Sequence, residues 1–121
     1  MIYPQNIEQK IDFHVIRDGL KACCMSPLGK ERVDAMQWLT RYIAVRDLLS
    51  RVREMMGVLT DSPLTFPQGE IYDLREALSR IRIEGLFLDE AELYSLSKML
   101  SYSAHLERFF ATLDQNKYPI R

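Results

Sequence analysis

The sequence predicts an all-α protein, a multi-helical bundle with two long antiparallel helices and three shorter ones. Three observations carry that prediction. Apolar residues recur at helical rather than alternating spacing. Ser26-Pro27, Asp73-x-x-Glu76 and Asp89-x-x-Glu92 are helix-start signals. With five Gly and five Pro in 121 residues, the chain lacks the turn density of a β-sandwich.

Each element follows from local chemistry. Asn6 is placed to cap a short first turn over residues 7–11, and Asp12 a helix over residues 13–24. Phe13, Ile16, Leu20 and Cys23 or Cys24 are the apolar positions of that helix. Ser26 and Pro27 start a helix over residues 27–36, with Leu28, Val33 and Met36 as its stripe. Gly29 in its first turn is either a close-packing position or a tolerated one. Thr40 is placed to cap a helix over residues 41–59. Its stripe is Val45, Leu48, Leu49, Val52, Met55, Met56 and Leu59, with Arg46, Asp47, Arg51, Arg53 and Glu54 on the other side. That spacing suits antiparallel packing on another long helix.

Residues 60–69 hold two prolines and a glycine and read as a surface loop anchored by Leu64 or Phe66. Asp73 and Glu76 then form a capping box for a helix to Ile83, closed by Gly85 in the left-handed conformation. A β-hairpin of Ile81–Ile83 with Leu86–Leu88 is the less favoured alternative. Asp89 and Glu92 start the last helix, over residues 90–114, and residues 116–121 form a polar tail.

Composition excludes several classes of function. Sixteen basic and 17 acidic residues leave a net charge of −1, which supplies no basic nucleic-acid footprint. Cys23 and Cys24 are adjacent, which strains any disulfide between them and fits no secreted framework. No apolar run reaches the roughly 20 residues of a membrane span, and no signal peptide is visible, so the expected compartment is the cytoplasm. A single helical domain over residues 1–121 is expected.

The search for chemistry returns no site residues: no catalytic, cofactor-binding or metal-binding set. No phosphate-cradling glycine loop and no Gly-x-Ser-x-Gly elbow occur. Asp12, His14 and a cysteine would be a meagre metal set, and His105 stands alone. Cys24 with His14 would need a depressed thiol pKa, and a buried structural thiol is the expectation instead. Asp89, Glu90 and Glu92 serve the helix start better than acid–base catalysis. Arg75, Arg80, Arg82 and Lys98 are the densest basic grouping, but Glu76 and Glu84 interleave with them. Met55, Met56, Met99, Phe109 and Phe110 read as core, with a binding groove as the alternative.

Phe13-x-x-Ile16-x-x-x-Leu20, the run from Cys24-Met25-Ser26-Pro27 to Glu31, Asp73-Leu74-Arg75-x-Ala77-Leu78-x-Arg80 and Ile83-Glu84-Gly85-x-x-Leu88-x-x-x-Glu92-Leu93 occur here in order. Together they resemble the opening of the type-two MutS proteins, bacterial paralogues of the mismatch-repair ATPase. The resemblance covers essentially the whole chain. It implies the N-terminal helical core of a much longer protein, a scaffold linking an ATPase to a DNA clamp without catalysis of its own. ATP and magnesium would be cofactors of the parent. The mismatch-reading Phe-x-Glu motif is missing, as the type-two branch implies. The alternative is a stand-alone helical protein-interaction module; a small enzyme lacks a supporting constellation. The expected partners are the rest of the parent chain and a second copy, with DNA bound weakly or not at all by this segment. Self-association is expected through a bare patch of Tyr102, Leu106, Phe109, Phe110 and Leu113, while Leu93, Leu96 and Leu100 pack on the Val45–Leu59 stripe.

Overall fold

A computed structural model describes residues 5–61 and 63–113. It contains helices α1 (Ile7–Lys10), α2 (Phe13–Cys23), α3 (Pro27–Asp34), α4 (Tyr42–Thr60), α5 (Arg75–Arg80) and α6 (Glu90–Thr112). Among the described residues there is no strand: residues 81–85 form turns and a bend, and residues 86–88 are irregular, in place of the alternative hairpin. The polar tail lies outside the described residues. The chain divides into two compact units, Met1–Trp38 with Glu70–Leu96, and Leu39–Gly69 with Ser97–Arg121.

In the first unit, α2 packs against α1 and α3. Ser26 behaves as the sequence predicts: its backbone is extended and its hydroxyl accepts the Gly29 N–H at 3.1 Å. Asn6 and Asp12 do not cap through their side chains. Asp12 instead takes the left-handed conformation, φ 57°, that a short polar side chain tolerates, and so turns the chain between α1 and α2. Asp73 does not join Glu76 in a box either. Its carboxylate accepts the Arg75 N–H at 3.2 Å and the Arg75 guanidinium, and α5 starts at Arg75 and ends at Arg80. Gly85 has the expected positive φ, 86°, but within the turns that follow α5. The last capping box is formed in full: Glu92 N–H donates to Asp89 Oδ1 at 2.8 Å, and Asp89 N–H to Glu92 Oε2 at 3.0 Å.

In the second unit, Thr40 is not the cap of α4; Arg41 occupies that position without a side-chain bond. The core is Val58 of α4 with Phe109 of α6 and Leu113, and Phe66 and Phe110 pack against it. The ring of Phe66 meets that of Phe109 edge-on at 5.2 Å, so Phe66 is the loop's anchor. The long helices therefore meet near their C-terminal ends, in place of the expected stripe-on-stripe packing. Leu48, Leu49, Val52, Met56 and Leu59 are exposed, as are Leu93 and Leu100. The predicted bare patch is also corrected. Phe109 and Leu113 are 8% and 7% exposed, because the 60–69 loop brings Phe66 onto them. Gly69 allows that loop its course: a Cβ there would lie 2.3 Å from the Tyr102 ring, whose hydroxyl donates to the Pro67 carbonyl at 3.3 Å.

Candidate functional site

Among the described residues, three nodes of paired charged side chains lie within the first unit. The first is centred on Arg17 of α2. Its guanidinium donates to Glu8 at 2.7 Å and to the carbonyls of Val33 at 2.6 Å, Asp34 at 3.4 Å and Met36 at 3.4–3.5 Å. These carbonyls lie at and just beyond the end of α3, where backbone acceptors lack helical partners and the dipole favours a cation. Arg17 thereby caps the end of α3, which stops at Asp34 rather than at Met36. Trp38 Nε1–H donates to the same Glu8 oxygen at 3.0 Å, and the Trp38 ring meets Phe13 at 5.6 Å. One arginine thus joins α1, α2, the end of α3 and the only tryptophan of the chain.

The second node is Arg75, which binds Asp73 at 2.6 Å and Glu31 of α3 at 2.7 Å. Its hydrogen bonds hold the Asp73 carboxyl down at about 2 and Glu31 below its usual range, while the two carboxylates raise Arg75 further. The third is Arg80 with Glu92 at 2.5 Å. Glu92 is lowered first by Arg80 and then by the Asp89 N–H, so one carboxylate serves both an ion pair and a helix start. Separately, the Tyr72 hydroxyl donates to Glu70, which pushes its pKa up.

In the predicted basic grouping Arg75 and Arg80 are engaged by acids, and Arg82 is exposed. His14 and His105 are exposed. Among the described residues no group of three His, Cys, Asp or Glu converges to hold a metal ion. Both cysteines are free thiols, with Cys23 exposed and Cys24 half-buried, which corrects the expected burial. The physical reason lies in the end of α2: the backbone leaves the helix at Cys24, φ −74° and ψ 133°, carrying that residue toward Gly29. A Cβ on Gly29 would stand 3.4 Å from Cys24 Cβ and Sγ, an ordinary contact, so the glycine is the tolerated choice. Met55 and Met99 are half-buried and Met56 is exposed.

Sequence reading missed the Arg17 node. Glu8 and Trp38 are 30 residues apart, and neither motif nor periodicity links them. The usable signal was chemical: one Trp among helices needs an acceptor for its indole N–H when partly covered.

Comparison with known proteins finds a resemblance between this helical chain and MutS2-type sequences. It is similar to proteins named endonuclease MutS2 from Alkaliphilus metalliredigens, Bacillus velezensis and Pelotomaculum thermopropionicum, with 27% identity to each over 91–93% of the chain. The chain spans only about 14% of the length of these relatives, so it resembles a fragment of a MutS2-type protein. No family model matches the chain. No solved structure matches it. No helix among the described residues is long and apolar enough to cross a membrane.

Proposed function

We propose that this chain is a helical scaffold segment of a MutS2-type DNA-processing protein and contributes structure rather than chemistry. The observation that supports the reading is the alignment itself: nearly the whole chain matches one seventh of each relative. The local structure suits such work. Three of its arginines, Arg17, Arg75 and Arg80, join helices through ion pairs. The relatives, as whole proteins, are named endonucleases. In this reading that activity resides in other segments of a parent chain, as do ATP and magnesium, since no Gly-x-x-x-x-Gly-Lys-Ser/Thr loop is present here to hold them. DNA contact by this segment alone is weak and falls steeply with salt, because a net charge of −1 gives no long-range attraction.

The reading frame beyond the codon for Arg121 tests the proposal. An open frame running into a phosphate-binding loop supports it. A stop codon there, in a genome that encodes this chain as a separate gene, removes it and leaves a stand-alone interaction module.

A further inference from the structure

We propose that α4 is a docking surface for an amphipathic helix of a partner protein whose apolar stripe is bordered by carboxylates. The inference is independent of the MutS2 resemblance. It starts from an exposed apolar face. Leu48, Leu49, Val52, Met56 and Leu59 are 49–62% exposed and fall within about a third of the circumference of α4. The core of the second unit uses a different edge of the helix, through Val58. A contiguous stripe of this kind, about three turns long, marks an interaction surface on a soluble domain.

The borders of the stripe select the occupant. At 3.6 residues per turn, Arg46 and Arg53 line one border and Arg51 the other. Asp47 and Glu54 fall at the back, away from the apolar face. All five of these charged residues except Glu54 are exposed. Arg46 is held over the Tyr42 ring at 6.0 Å, with a loose contact to Asp47 at 3.7 Å, so it stays along the border. Both borders are cationic, so the complementary helix carries Glu or Asp on either side of its own apolar seam. A second α4 would set arginine against arginine along the contact, which disfavours self-pairing. The alternating three- and four-residue spacing of Val45, Leu48, Val52, Met55 and Leu59 matches the ridges of another helix. A lipid surface requires no such register.

The test uses the full 121-residue chain. Two labelled peptides serve as probes, both with Leu at heptad positions a and d, one with Glu and one with Lys at e and g. Like charges at e and g keep each probe from pairing with itself. Fluorescence anisotropy should show the Glu probe binding at least about tenfold more tightly than the Lys probe, with the preference shrinking as salt rises. Val52→Asp should weaken the Glu probe about tenfold. Arg46→Glu with Arg53→Glu should reverse the preference between probes. These positions are exposed, and circular dichroism should report unchanged helix content in each variant. Equal binding of both probes, or none, overturns the proposal. So does indifference to Val52→Asp, self-association of the chain at the same concentrations, or tighter binding to anionic phosphatidylserine vesicles than to the Glu probe.

Discussion

Arg17 carries more of the first unit's geometry than any residue that the sequence pattern singles out. Its side chain is 14% exposed, and from α2 it holds partners in α1 and at the end of α3. Removing it takes the charged partner from Glu8 and a donor from the last carbonyls of α3. Arg17→Met should lower stability by about 1–3 kcal/mol and shift Trp38 fluorescence, measured together in a thermal melt. Arg17→Lys should not fully restore the wild-type value, because an ammonium lacks the planar fork that spans carboxylate and carbonyls. At Gly69 the cost is steric: Gly69→Ala puts a methyl into the Tyr102 ring, and should destabilise by about 1–3 kcal/mol. Adding Tyr102→Leu should recover part of that loss, a coupling that a double-mutant cycle would read. Acid sensitivity follows from Asp73, Glu31 and Glu92. Their folded pKa values lie below the ordinary ones, so their contribution is present above about pH 4. It is lost as pH falls toward about 2, the folded value of Asp73. Stability followed by urea unfolding should therefore decline on acidification across that window, modestly, since these pairs are at the surface.

Helices were legible in the sequence wherever the signal was periodic or purely local. Ser26 and the Asp89–Glu92 box were readable because each cap needs only residues three apart. Asp73 obeyed the same spacing and still misled, because Arg75 offers its carboxylate a stronger, charge-assisted partner than a backbone amide alone. Asp12 and Thr40 misled because a polar residue before a helix is permission for a cap, and the backbone decided otherwise. Asp89→Ala should fray the first turn of α6 and cost about 0.5–2 kcal/mol. Amide exchange of residues 90–92 would register it as local opening, with the second unit's core amides unchanged.

At the scale of the whole chain, the all-α class was legible and the packing was not. Periodicity states which face of a helix is apolar, but not which neighbour covers it. The Phe109–Leu113 end of α6 looked bare because its cover, Phe66, arrives from a loop whose path no periodicity encodes. Conversely, the α4 stripe looked like core and is open to solvent. Phe109→Ser should therefore loosen the second unit by about 3–5 kcal/mol rather than merely dissolve an interface. A far-ultraviolet spectrum of wild type should be dominated by helix.

In the function we propose, this chain supplies structure to a MutS2-type protein and no chemistry of its own. The most direct test incubates the purified 121-residue chain with ATP, magnesium and branched or linear duplex DNA. Phosphate release and strand cleavage should be indistinguishable from buffer. Turnover that persists through purification and disappears on mutating a residue of this chain would contradict the proposal.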